Sequence, residues 1–223
     1  MKNEPMEAFV ESVQVGRCQQ FAGSEQLKSW TSAIVKTSID GSVSVGSNGL
    51  QGDEQADLKN HGGPEKAVLA YASSHYEAWR AELPSAGFRH GGFGENLTIS
   101  GITEEDCCIG DVFQIAECLL QITQPRQPCW KLSRRWNIDD LARRVQQTGR
   151  TGWYLKVLRE GCVAAGAAVL LIERPHPEMS VAWANAVMYA KPRRLNDERQ
   201  LAACPELSEE WKSVLNQRGD SNL

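Results

Sequence analysis

The sequence predicts a mainly β body, a barrel or a sandwich, with two inserted helices and a tail of three short helices. Three observations lead there. About eight short stretches rich in β-branched and aromatic residues follow one another at close spacing, the pattern of a barrel or sandwich. Helical periodicity interrupts them twice. After Pro175 and Pro177 the apolar period changes, and three short stretches each start near a polar cap.

Phe9 to Cys18 alternates weakly through Phe9, Val13 and Val15 and reads as the first strand. Trp30 to Lys36 reads as the next, Asp40-Gly41 as a turn, and Ser42 to Val45 as the returning strand. Gly46, Gly49 and Gly52 make the following stretch a loop. Ala67 to Tyr71 is a short buried strand. Ser73 to Leu83 is a helix with a Ser74–Glu77 capping box and a Tyr76, Trp79, Leu83 stripe, ended by Pro84. Leu97 to Ser100 alternates as a strand, and Asp111 to Glu117 with Leu119 to Thr123 form a hairpin. Asn137 to Gln147 is the second helix, capped by Asn137 and stopped by Gly149. Trp153 to Leu158 and Cys162 to Glu173 complete the β part. The expected tail helices are Ser180 to Ala190, Arg194 to Ala203 and Ser208 to Arg218. Each is too short to be stable alone, so they pack on one another or on the body. The expected division is residues 1–175 and 176–223.

Composition narrows the classes. A chain of 223 residues with 41% hydrophobic and 23% charged residues is ordinary for a globular protein. A net charge of −4 gives no electrostatic reason to expect nucleic-acid binding. No apolar run is long enough to span a membrane, and Met1 to Ala8 lacks the apolar core of an export signal. The seven cysteines are scattered without a CxxC pair. They read as reduced thiols of a cytoplasmic protein.

The chemistry gathers around Gln124 to Leu132. Pro125 and Pro128 stop any ladder or helix there and leave a stiff, extended lip. Cys129 sits on that lip with Arg126 and Lys131 nearby, and cations favour the thiolate that attacks or binds metal. The competing reading is a buried structural cysteine. Polar, glycine-rich loops at Gly49 to Lys66, Gly91 to Asn96 and Gln124 to Lys131 can gather at one mouth of a closed sheet. That mouth would hold Cys129, His61, Asn96, Lys66, Arg126 and Lys36, a pocket for an anionic cofactor with a soft-metal end. Each has a bland alternative: His61 capping a turn, the lysines and Arg126 as surface charges, and Glu95-Asn96 as turn chemistry. No zinc spacing, calcium loop or Gly-x-Ser-x-Gly elbow is visible.

In this order the chain carries Gly49-Leu50-Gln51-Gly52-Asp53-Glu54-Gln55-Ala56-Asp57, His61-Gly62-Gly63-Pro64-Glu65-Lys66-Ala67, Phe93-Gly94-Glu95-Asn96-Leu97, Ile109-Gly110-Asp111 and Gln124 to Leu132. The series resembles the MOSC domain, in particular its bacterial YiiM branch, and the tail resembles the three-helix domain that follows there. The resemblance implies an antiparallel β-barrel and a molybdenum cofactor, with no requirement for pyridoxal phosphate. Cys129 is then the implied molybdenum ligand and His61 its neighbour. Lys36, Lys66, Asn96, Arg126 and Lys131 hold the cofactor or substrate. The implied reaction is reductive dehydroxylation of N-hydroxylated compounds such as purine or pyrimidine base analogues. His61, ordinarily titrating near pH 6.5 (about), supplies the proton. Electrons come from a separate flavoprotein, since the chain has no ferredoxin-type cysteine run. The tail is a candidate surface for that donor, and a homodimer is allowed. Two other readings compete. One is a carrier of the cofactor, or of sulfur as a persulfide on Cys129. The other, a DNA-binding tail, suffers from Asp197, Glu198, Glu206, Glu209 and Glu210 among its arginines.

Overall fold

The computed structural model describes residues 8–23, 28–57 and 62–220. Its first strands are β1 (Phe9–Val15), β2 (Gln19–Phe21), β3 (Trp30–Ser32), β4 (Thr37–Ser38), β5 (Val43–Gly46) and β6 (Gly49–Leu50). After them come β7 (Val68–Ala72), β8 (Leu97–Ser100), β9 (Val112–Ile115), β10 (Cys118–Pro125), β11 (Trp153–Arg159), β12 (Gly161–Val163) and β13 (Val169–Glu173). The helices are α1 (Ser74–Glu82), α2 (Trp130–Trp136), α3 (Leu141–Thr148), α4 (Val181–Tyr189), α5 (Leu195–Ala202) and α6 (Glu209–Asp220).

Eight strands make one curled sheet in the order β13-β9-β10-β11-β7-β8-β1-β4, flanked by a small β12-β5-β6 sheet and the β2–β3 hairpin. The closed, antiparallel barrel expected from the sequence is corrected on two counts. First, β7 and β8 run parallel, because the chain between them crosses over through α1. Second, the ladder does not close. Phe9 bridges Ala168, and Val10 N–H donates to Ala167 O at 2.8 Å. Elsewhere the outer side of β1 is taken by β4 at Gln14 and Val15, so β4 and β13 remain edges.

Other boundaries shift for local reasons. β1 stops at Val15 rather than Cys18. A Cβ on Gly16 would meet Val35 O at 2.6 Å and Ala33 O at 2.7 Å, so the segment after β3 crosses directly over it. For the same reason the Trp30–Lys36 strand shortens to β3. The Gly46–Gly52 loop contains β6, paired with β5. Ser73, not Ser74, precedes α1, and no side chain caps it. Asn137 ends α2 in the left-handed conformation (φ 51°) instead of opening a helix, and α3 begins after Asp140. Gly149 stops α3 as expected, also left-handed. Cys162–Glu173 divides into β12 and β13 around Gly166 (φ 87°).

The sheet and α4–α6 share one apolar cluster: Val13, Ile99, Leu120, Ile122 and Leu155 lie in it with Val181, Trp211 and Leu215. A second, aromatic cluster joins Tyr71, Trp79 and Phe93 to Leu132 of α2 and Val145 of α3. Strand β10 contributes Cys118, Leu120 and Ile122 to the first cluster. It is buried along its length except at Leu119, and its pairing with β11 shifts between Ile122 and Gln124. The ladder runs through Pro125, opposite Trp153, and continues with Arg126 N–H donating to Gly152 O at 2.9 Å. Proline is tolerated there because it follows the register shift at the strand's end. The expected lip is therefore only Gln127 to Cys129, and α2 starts at once after it.

Candidate functional site

The end of β10, the Pro64–Lys66 turn, the Asp53–Asp57 loop, the segment after β3 and the Phe93–Asn96 turn enclose one cleft of about 640 Å3, its open mouth included. That is the size range of small-molecule sites. Lys36, Lys66, Asn96, Arg126, Cys129 and Lys131 all line it, so six residues singled out in four separate stretches, three of them ordered motifs, come together. His61 lies outside the described residues.

Cys129 is the residue before α2, in an extended conformation (φ −113°, ψ 167°), and is half-buried. It faces the cleft and also a second hollow lined by Gln124, Gln127, Trp130 and Glu210. The four cysteines Cys107, Cys108, Cys118 and Cys204 are buried, and burial pushes each thiol up. No disulfide joins any of the seven cysteines.

Arg126 is buried by its place at the end of β10. One guanidinium nitrogen, Nη2, donates to Phe93 O at 3.2 Å. The other, Nη1, is buried and has no partner among the described residues. A buried donor without a partner is costly, and it marks a place where an acceptor belongs. Beside it, Tyr154 lines the same wall. Burial pushes its phenol up to about 12, against the pull of Arg126. It therefore remains a neutral hydrogen-bond donor at physiological pH.

The lysines are more tied than sequence suggested. Lys36 Nζ donates to Asp53 Oδ1 at 2.5 Å and Oδ2 at 2.6 Å. Burial pulls the ammonium down and Asp53 resists that fall. Lys66, held in the Pro64–Lys66 turn, pairs with Glu210 of α6 and lies 6.0 Å from the Tyr154 ring. Lys131 makes no ion pair among the described residues, and its Nζ rests 5.9 Å from the Trp130 ring. Asn96 is fully committed to the scaffold. Its Oδ1 accepts from Leu69 N–H at 3.1 Å, while Nδ2 donates to Gln14 O at 3.3 Å and to Asp53 Oδ2 at 2.8 Å. Its neighbour Glu95 is equally spent, accepting from Tyr76 Oη, Gly91 N, Phe93 N and Thr98 Oγ1. These hydrogen bonds are those of the turn-chemistry reading of Glu95-Asn96, while Asn96 also lines the cleft.

Asp53 is the residue that sequence reasoning passed over. Its carboxylate gathers Lys36, Asn96 and the Gly16 N–H (2.7 Å), tying β1, the segment after β3 and the Asn96 turn into one wall. The signal was its place at the end of a glycine-spaced loop. Its partners, 17 to 43 positions away, were not visible from spacing. With Glu54 and Asp57 it brings three carboxylates to a wall that also carries four cations, so the cleft is only mildly positive.

The family model described as MOSC domain matches residues 57–170, and that described as YiiM-like, 3-alpha helix domain matches residues 179–218. The chain is 41% identical to YflK of Bacillus subtilis, over 85% of this chain and 86% of that protein. It is 37% identical to a Gibberella moniliformis protein named Reductase, over 91% of this chain but 36% of that protein. The crystal structure of YiiM from Geobacillus stearothermophilus superposes with a TM-score of 0.80 at 33% identity, covering 95% of this chain and 98% of the other.

Proposed function

The chain belongs to the MOSC domain family, in the group whose MOSC domain is followed by a YiiM-like three-helix domain, and on that premise we propose a molybdenum-dependent oxidoreductase. Its substrates are N-hydroxylated compounds, with N-hydroxylated purine and pyrimidine base analogues as the leading class. The observation that carries the reading is the meeting of Cys129 with the unpartnered Arg126 Nη1 in one cleft. A soft sulfur donor beside a buried cationic donor suits an anionic group that ends in a soft metal. The residues present therefore fit a molybdenum cofactor, with Cys129 as metal ligand and Arg126 and Lys131 receiving its anionic oxygens. Lys36 and Lys66 contribute field more than direct contact, because each already serves a carboxylate.

When bound, the cofactor supplies the two-electron redox step. The chain's own residues do the rest. Leu69, Phe93 and Tyr154 give the cleft apolar walls that keep bulk water from the substrate. The overall change consumes two electrons and two protons, breaks the N–O bond and releases the hydroxyl oxygen as water. His61 delivers a proton to that leaving oxygen. It stands four residues after Asp57, which lines the cleft. The electrons come from a separate flavoprotein. The match to the fungal protein named Reductase supports an electron-accepting role, and it leaves most of that protein's length for other parts.

The test is Cys129→Ser, purified from a cofactor-competent host and from a cofactor-deficient one. Molybdenum content and reduction of an N-hydroxylated base with an added donor should both vanish, while the circular dichroism spectrum stays unchanged. Full molybdenum content in the serine variant refutes the assignment. A carrier role is kept as a second reading because Cys129 also faces the hollow beside Gln127 and Glu210, where a partner protein has access. A mass gain of one sulfur atom on Cys129, with no turnover of any N-hydroxylated base, favours it.

A further inference from the structure

Away from the cleft, a second group of side chains converges where the last strand leaves the sheet. His176 lies between Pro175 and Pro177, just after β13, and Cys204 and Glu206 lie in the turn joining α5 to α6. One nitrogen, one sulfur and one oxygen of these residues all lie within 4.8 Å of one another. His176 Nε2 is 2.7 Å and Cys204 Sγ 3.6 Å from the same oxygen, Glu206 Oε2. Cys204 is buried, whereas His176 and Glu206 are half-buried and reachable from solvent.

Two further features distinguish this from a chance polar contact. Leu207 N–H donates to the Cys204 carbonyl oxygen at 3.2 Å and Cys204 N–H to Leu201 O at 3.1 Å, so the turn that carries Cys204 and Glu206 is closed by its own backbone. The segments are also pressed together. A Cβ on Gly110 would meet Pro175 Cγ at 2.9 Å and Glu206 Cγ at 3.2 Å. The donors therefore come from backbones held at fixed separation, not from mobile surface chains.

We propose that His176, Cys204 and Glu206 form a site for a divalent ion of the zinc class, independent of Cys129 and of the proposed redox function. Imidazole, thiolate and carboxylate are the three donor types zinc takes from proteins, at roughly 2.0–2.3 Å. In a tetrahedral shell of those bond lengths, neighbouring donors stand about 3.3–3.8 Å apart. The Sγ–Oε2 spacing already matches, and the Nε2–Oε2 spacing opens by somewhat over half an ångström. On binding, the Cys204 thiol proton is released to solvent and His176 coordinates as neutral imidazole, its one remaining ring proton on Nδ1, so that the metal sits between the same atoms. Water fills the fourth position on the exposed side. The ion joins the exit of β13 to the α5–α6 turn.

The experiment uses the full chain, stripped with a chelator and titrated with Co2+. The expected result is a near-ultraviolet sulfur-to-cobalt charge-transfer band with visible bands of four-coordinate intensity, bleached when Zn2+ is added. Cys129→Ser keeps the band and Cys204→Ser loses it. His176→Gln and Glu206→Gln, at half-exposed positions that the fold tolerates, weaken Co2+ binding at least about tenfold, the floor set by losing even an outer partner of a metal ligand. Absence of the band in the wild-type chain overturns the proposal. So does a band undiminished in Cys204→Ser, or Co2+ affinity unchanged in both glutamine variants.

Discussion

Asp53→Asn tests whether the cleft wall rests on one buried charge pair. The side chains of Lys36 and Asp53 are 7% and 6% exposed. The carboxylate receives two donations from Lys36, one from Asn96 Nδ2 and one from Gly16 N–H. An asparagine keeps a single acceptor oxygen and turns an NH2 toward groups that themselves donate. Lys36 is left as a buried ammonium without its counter-charge, a defect that costs about 3–5 kcal/mol. The pH dependence has a definite sign. Burial depresses Lys36 below its ordinary value and Asp53 partly restores it. Removing Asp53 lowers the folded-state value further, while the unfolded value stays near 10.4 (about). Between those two values the unfolded chain binds more protons, so stability rises with pH. That window is wider in the variant, and its deficit against wild type therefore shrinks as the solution becomes alkaline. Guanidinium denaturation at neutral pH and again near the lysine range measures both effects. Adding Lys36→Met to Asp53→Asn should recover at least half of the loss, since no charge is then stranded. A loss below about 1 kcal/mol, or a deficit that grows with pH, refutes the reasoning.

His61→Ala should lower turnover of an N-hydroxylated base more than it lowers molybdenum content, and equal losses in both assays would make the residue structural. Glu95→Gln removes a carboxylate that accepts four hydrogen bonds and should cost about 2–3 kcal/mol in denaturant melts. In the same variant Tyr76, held well above the usual phenol range by burial and then by Glu95, should ionise at lower pH in an ultraviolet titration; no movement would mean burial alone sets it. Ser180 caps α4 by accepting from Trp183 N–H at 3.0 Å, so Ser180→Ala should cost about 1 kcal/mol in a thermal or chemical melt.

Much of the β body was legible because alternation is a local signal. Leu97–Ser100 was placed at its observed limits, and the β9–β10 hairpin and the α4–α6 helices within a few residues. What failed was of two kinds. Some turns hide their direction: Pro128 before Cys129 masked the start of α2, and Asn137 has the chemistry of either end of a helix until its φ is known. Contacts across long separations leave no local trace at all. Whether the sheet closes is decided between Phe9 and Ala168, and the parallel pair β7–β8 by how the chain returns after α1. In the site, four of the five ordered motifs carried lining residues, while Ile109-Gly110-Asp111 lies by Pro175 and Glu206 instead. The partners did not follow. Nothing near Lys66 in sequence announces Glu210, 144 positions away.

That distant partner changes what the last helix is for. α6 enters by Ser208 N–H donating to Thr123 O at 3.1 Å, and it sets Glu210 against Lys66 and into the hollow beside Cys129. A chain cut after β13 would keep every strand but lose the Glu210 carboxylate that meets Lys66 and one wall of the hollow that Cys129 faces. The terminal helices are masonry of the cleft, and trimming them to isolate a minimal β body would remove part of the wall that the trimming was meant to reveal.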